Sequence, residues 1–346
     1  MDVRLSPEQE SLRDAAARIV DRLGPHAVGE IGDRERVARL DAAVTDSGWR
    51  ELRTGTDGDA PLASGVEVAI VAEALGRGLA DVSFFGPTMA SELRRMAGVP
   101  PSTAVETVAL SADLSSIAYS VDGEIPPCVA IDVQGSDRSI LLAAGSEGLQ
   151  VAPLVVRSDS AGVDLTRPSV VIGPPVVATT IETAASPITT DDRTRWTALG
   201  LSLACADLVG TMCGAVQLAT DYASQRHQYG AAIGSFQSIQ HLLADAFVLS
   251  EGARSATLHA AWAVDALAPA AALGAASVAK VYCSRAARTV CETAIQVHGG
   301  VGNTWECLAH VYLRRALLSS DLLGDAGVAM TQVLQYNGIG GTDGLR

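Results

Sequence analysis

"QRHQYGAAIGSFQSIQHLLADAF", residues 225–247, sets an arginine, several aromatic rings, a glycine-containing bend and four glutamines between two apolar stretches. A chain dominated by alanine and leucine has a reason to break its helices with this. Either the stretch is a polar helix–helix connection, or it is a surface shaped to hold something anionic and partly aromatic. Its flanks carry apolar residues at helical spacing, which predicts helices at roughly 192–224, 236–267, 269–297 and 304–335. Together they form a C-terminal four-helix bundle over 190–346.

Upstream, over 104–189, the texture changes. Short β-rich runs ("TVALS", "SIAYSV", "CVAIDV", "SILLAA", "LQVAPL", "SVVIG") alternate with "DGEIPP", "QGSDRS" and "IGPPV". They predict a small central antiparallel β domain. No glycine-rich strand-to-helix turn of the dinucleotide type occurs in it, so a Rossmann fold has no support. Residues 1–103 read as an N-terminal helical domain. Ser6 caps the first helix, with Pro7 behind it and Gln9 three residues on, and Gly24-Pro25 stops it. "SGVEVAIVAEALGRGLADVSFFG" is a second helical pattern, capped by Ser64 and weakened by Gly76 and Gly78. The fold class is α+β, in the order α, β, α. The tail "NGIGGTDGLR" reads as loosely ordered.

Composition narrows the function. A net charge of -14 argues against nucleic acid or an anionic membrane as partner, because both reward a basic patch. With aromatics at 4% the core is aliphatic, and charged residues at 18% hint at surface covered by other subunits. The six cysteines are scattered, with no metal-like cluster, which fits reduced thiols in a cytoplasmic protein. "MDVRLSPEQE" is no signal peptide. "WTALGLSLACADLVGTMCGAVQLATDY" carries Asp207 and Gln217, so it reads as a buried bundle helix rather than a membrane span.

A second stretch, "AIQVHGGVGNTWE" at 294–306, answers the first. Alone, Gly299 and Gly300 would simply end a helix. Together the two stretches resemble the acyl-CoA dehydrogenase family. The shared pattern is Arg226, Tyr229-Gly230 and Phe236-Gln237, then Gln296, Gly299-Gly300, Gly302 and Glu306. The first helix, "AEALGRGL" and the α, β, α order also match. The resemblance implies that Arg226, Gln237 and the glycine run grip the adenosine diphosphate half of an FAD seated mainly on a neighbouring subunit. The chemistry suits that role. A guanidinium pairs with pyrophosphate, glycine backbone N–H groups approach closely, and glutamine amides serve nucleotide edges. The expected cofactor-binding set is Arg226, Gln228, Tyr229, Gln237, Gln296, Gly299, Gly300 and Gly302; His298 is a further candidate contact.

The family's carboxylate base has no counterpart at its two known positions. One holds Leu323 before Gly324; the other, about seven turns before Arg226, lies near Gly200. The flavin-ring motif is replaced by "ALSADLSS", and Trp196 lies beyond the β domain. No catalytic residue is therefore expected in this chain. Asp245, Glu251 and Glu306 remain minor candidates, with a Glu251–Arg254 ion pair the plainer reading for one of them. Of Arg314 and Arg315, one is expected to bury its stem at a helix contact and the other to be solvated.

The resemblance narrows to the shorter subunit of the α2β2 acyl-CoA dehydrogenases that actinobacteria use on steroid side chains. It implies a heterotetramer with a longer, dehydrogenase-like partner, an acyl-CoA substrate and an electron-transfer acceptor. The alternatives are a self-sufficient dehydrogenase or oxidase with an unrecognised carboxylate, and a flavin-free protein of the same fold.

Overall fold

Ser6 opens helix α1 (Pro7–Leu23) as its sequence predicts: its hydroxyl accepts from the Gln9 N–H while the Gln9 side chain accepts from the Ser6 N–H, and the helix ends at Gly24. The computed structural model describes residues 4–55, 60–120, 124–143, 148–153, 162–172, 180–183 and 187–339. Most of the tail read as loosely ordered, 340–346, lies outside them. After α1 come α2 (Arg34–Asp46), α3 (Gly65–Arg77, capped by Ser64) and α4 (Phe85–Met96). The helical pattern that opens at Ser64 ends at Gly78, one of the two glycines expected to weaken its end, and only its last residues, from Phe85, enter α4. The chain turns at Gly78 and Leu79, the latter in the left-handed region, and restarts at Phe85. There Asp132 of the sheet region accepts from the N–H groups of Phe84 and Gly86, capping α4 where no residue of its own does so.

All six β runs form strands: β1 (Glu106–Ser111), β2 (Tyr119–Ser120), β3 (Cys128–Ala130), β4 (Arg138–Ala143), β5 (Gly148–Pro153) and β6 (Val170–Ile172). A seventh, β7 (Thr180–Thr183), was not foreseen. The order is β6-β3-β1-β4-β5-β7, with β2 beside β4. The sheet is mixed rather than wholly antiparallel, since β1 and β2 both run parallel to β4. The cause is the path of the chain. β3 takes one edge of β1 antiparallel, so the connection to β4 crosses to the other edge and arrives in the direction of β1.

The C-terminal part contains α5 (Thr190–Gln225), α6 (Gln237–Ala266), α7 (Pro269–His298), α8 (Ala309–Asp321) and α9 (Ala326–Tyr336). What the sequence offered as one fourth helix is broken between α8 and α9, at Leu323 and Gly324, both with positive φ. Helix α5 is long and apolar enough to cross a bilayer, but its apolar window is 89% buried inside the protein. Its contact with α3 is backbone on backbone. A Cβ on Gly210 would lie 1.9 Å from the Glu73 carbonyl oxygen, and one on Gly76 would lie 2.4 Å from that of Asp207. Those two glycines set how close α5 sits to the N-terminal helices, and so place everything α5 carries.

Candidate functional site

Helix α5 ends at Arg226, where the chain leaves in extended backbone and folds into a two-stranded hairpin, β8 (His227–Gln228) and β9 (Ala231–Ala232). Its two turn residues, Tyr229 and Gly230, have φ of 53° and 80°. Two positive φ values suit a tight hairpin, but a tyrosine in that region is strained. Tyr229 is also 94% exposed, its ring edge-on to Phe236 at 6.4 Å. The hairpin is braced from below: Ile233 N–H donates to the Arg226 carbonyl, and Gln240 donates to the Gly234 carbonyl at 3.0 Å. Phe236 then starts α6, with Gln237 exposed on its first turn.

The second stretch arrives at the same end of the bundle. Tyr222, one turn before Arg226, stacks on His298, the last residue of α7, with ring centroids 4.4 Å apart. His298 is 6% exposed, and its Nδ1 pairs with the Ala294 carbonyl. It is a buried strut between α5 and α7, which is the core-histidine reading of the two that the sequence allows. Gln296 is exposed on the final turn of α7. Gly299 has φ 64° and ψ −144°, which only glycine adopts readily, and a Cβ at Gly299 or Gly300 would meet nothing within 4 Å. Gly302 faces inward, where a Cβ would crowd the Ile295 carbonyl at 2.9 Å.

Among the described residues, the side chains of Arg226, Gln228, Gln237 and Gln296 make no hydrogen bond, and all four are exposed. One guanidinium, three carboxamides and an uncovered glycine backbone form a donor set that fits a nucleotide pyrophosphate.

The opposite arrangement surrounds the two positions where a base was sought. Leu323 and Gly200 touch: a Cβ on Gly200 would lie 2.2 Å from Leu323 Cδ1 and 3.0 Å from Met89 Cε. Leu323 is 1% exposed and held in a left-handed conformation. Lys280, fully buried on α7, fixes this turn by donating to the carbonyls of Ser319 at 2.7 Å and Leu322 at 2.8 Å. Burial pushes its ammonium down to about 8. Trp196 is also buried, its Nε1 donating to the Met89 carbonyl. The "ALSADLSS" loop closes on itself: Ser111 and Ser115 donate to Asp113 and hold its carboxyl at about 2.

Asp207 lies between these regions on α5. Arg315 donates to its Oδ1 at 2.6 and 2.9 Å, Ser319 to its Oδ2, and Arg167 is 3.3 Å away. Burial works against its charge, but Arg167 and Arg315 outweigh burial and hold the carboxyl below its ordinary range. Arg315 also binds the Ala80 carbonyl and Thr166, and Arg167 pairs with Asp164, so the network joins all three parts of the fold. Arg315 is thus the buried arginine of its pair; Arg314 is half-buried and reaches the Val163 carbonyl. Asp245 and Glu306 are exposed. Glu251 pairs with Arg254, which also bridges to Glu73 of α3 and to the Cys213 thiol. The structure gathers none of these carboxylates around Leu323. The contact between positions 200 and 323, and the lysine beneath it, had no signal in local sequence.

Residues 201–336 match the family described as acyl-CoA dehydrogenase, C-terminal domain. Over 326 residues the chain is 28% identical to the acyl-CoA dehydrogenase IpdE2 of Mycolicibacterium smegmatis, covering 92% of this chain and 96% of that one. The Mycobacterium tuberculosis IpdE2 is 29% identical over 91% of this chain and 93% of its own. Among solved structures, the Tcur3481-Tcur3483 steroid ACAD G363A variant superposes with a TM-score of 0.77 at 18% identity, covering 96% of this chain and 98% of that one. The ChsE4-ChsE5 complex of Mycobacterium tuberculosis gives 0.74 at 20%, covering 98% and 99%.

Proposed function

From the premise that this chain belongs to the acyl-CoA dehydrogenase family, we propose that it is the half-site subunit of a heteromeric acyl-CoA dehydrogenase. The chain is an oxidoreductase of the CH–CH class, and its cofactor is FAD. Bound FAD supplies the hydride acceptor for α,β-desaturation. This chain's part is to hold the adenosine diphosphate end. Arg226 would bind pyrophosphate oxygens, the uncovered backbone at Gly299 and Gly300 would lie against them, Gly302 packs inward and holds that run in place, and Gln228, Gln237, Gln296 and Tyr229 would serve the flanking polar and aromatic edges. The flavin-ring site and the proton acceptor belong to a longer partner. The three units 1–103, 104–189 and 190–346 are taken as its domains.

The observation that carries this reading is the Leu323–Gly200 contact. Where a base would stand, a leucine methyl fills the space. An exposed apolar face of α6 and α7, with Phe247, Val248, Val278 and Tyr282, supports a subunit contact. So does the solvent-facing, strained Tyr229. The steroid ACAD and the ChsE4-ChsE5 complex among the structural neighbours favour an α2β2 assembly and a bulky, steroid side-chain acyl-CoA as substrate.

The test is expression of the chain alone and together with a longer dehydrogenase-like chain. The mixed complex is expected to hold stoichiometric FAD and to oxidise a bulky acyl-CoA, with the lone chain inactive. Stoichiometric FAD and full turnover from the lone chain would refute the proposal.

A further inference from the structure

Trp305 follows the glycine run by three residues and is 65% exposed, although it is one of only four tryptophans in the chain. Two side chains of α8 hold its ring. The Arg314 guanidinium carbon lies 5.9 Å from the ring centroid, over the face. His310 meets it edge-on, with centroids 5.1 Å apart and planes at 82°. Arg314 is itself anchored to the Val163 carbonyl. Burial, followed by the charge of Arg314, lowers the pKa of His310, which favours the neutral imidazole beside the Arg314 cation. A large indole is thus fixed in orientation and left largely open to solvent. Neither the donor set around Arg226 nor the Leu323 contact makes use of it.

We propose that Trp305, backed by Arg314, is a stacking platform for the adenine ring of an adenosine diphosphate. The proposal rests on the reading of the Arg226–Gly302 face as a pyrophosphate clasp. Reach supports it: three residues span at most ~11 Å, so the backbone of Trp305 lies within about that distance of Gly302. Chemistry supports it as well. Purine stacking on an aromatic face needs no base-specific partner, and the nearby guanidinium favours a ligand carrying phosphate. The same adenosine diphosphate unit occurs in FAD and, 3′-phosphorylated, in coenzyme A.

The experiment titrates ADP into the chain and follows tryptophan fluorescence in the wild type and in Trp305→Ala, Trp305→Phe and Arg226→Ala. Saturable quenching is expected in the wild type. Trp305→Ala should lose the quench and weaken ADP binding, followed by dialysis, by about tenfold; Trp305→Phe should recover most of that affinity. Competition by FAD, or by coenzyme A, then identifies the source of the adenosine. If Arg226→Ala weakens ADP binding while Trp305→Ala leaves it unchanged, the clasp stands and the platform is overturned. If Trp305→Ala weakens binding and Arg226→Ala does not, the platform stands and the clasp reading fails. Failure of the wild type to bind millimolar ADP overturns the platform. Trp305 protected only when a second protein chain is present would make it a subunit contact, and would equally overturn the platform.

Discussion

Helix α5 carries two regions treated in opposite ways. Near its start, Gly200 lies under Leu323 and Met89, and about two turns further along the helix Asp207 is held by Arg315, Arg167 and Ser319. At its end, roughly 39 Å away along the axis, Arg226 and the glutamines around it stand in solvent with their hydrogen-bonding groups unengaged. A domain gains nothing in its own stability from open donors, and an enzyme gains nothing in turnover from a leucine in place of a base. On the proposed reading the first end serves the fold and the second a ligand, so that one half of a site is kept while the other half becomes core.

The largest effect should come from the buried end. Asp207→Ala leaves Arg315 and Arg167 without their shared carboxylate, and breaking a buried pair in this way costs about 3–5 kcal/mol. Urea unfolding should show that loss. A midpoint shifted by only a few tenths of a molar unit would mean that Asp164 and Thr166 carry the network without Asp207.

Arg226→Ala should do the reverse. Stability should stay within about 0.5 kcal/mol, as for an exposed residue with no partner. FAD retention by the complex with the longer chain should fall ~10- to 100-fold, the equivalent of ~1.5–3 kcal/mol for a charge-assisted bond. Equilibrium dialysis of FAD measures it. Unchanged retention would erase the distinction between the two ends of α5. Gly200→Ala comes next, because its methyl would have to displace Leu323 or Met89; overpacking of this kind costs about 1–3 kcal/mol in unfolding experiments. A neutral or stabilising result would show the pocket to be slack, and would reopen it to a ligand.

Much of this was legible in the sequence, and what was missed shares a cause. Ser6 with Gln9, Ser64 and the six β runs depend on neighbours a few residues away, so their sequences declare them. The donor set was named from the family resemblance that the two stretches carry. The break between α8 and α9 was hidden because Leu322 and Leu323 continue an apolar pattern. What stops the helix is Lys280, about forty positions upstream, binding the carbonyls of Ser319 and Leu322. His298 stayed open between a core and a cofactor role for the same reason: its partner Tyr222 lies on another helix. The parallel pairing of β1 with β4 likewise depends on the route of the chain, which no single strand records.

The smallest expected effect tests whether the closed end is fully matched. Asp132 is fully enclosed, and its Oδ2 caps α4, but its Oδ1 has no partner among the described residues. Beside it lies a cavity of about 20 Å3 lined by Arg167, Asp207 and Arg315, room for about one water. Burial raises the carboxyl above its ordinary 3.8, against the pull of Arg167 and Arg315. Between 3.8 and that raised value the folded chain binds the proton that the unfolded chain has released. Stability from this group is therefore full below pH 3.8 and declines as pH rises through the window. Asp207 has the opposite sign, contributing above the ordinary carboxylate range and losing its contribution as pH falls through its lowered value. Asp132→Asn keeps an acceptor for Phe84 and Gly86 and removes the titration. Its stability relative to wild type should therefore improve from pH 4 to pH 7, by less than Gly200→Ala costs, in parallel urea titrations. Parallel curves across that range would mean that Asp132 keeps its ordinary titration in the fold, as it would if a water entering the cavity served Oδ1.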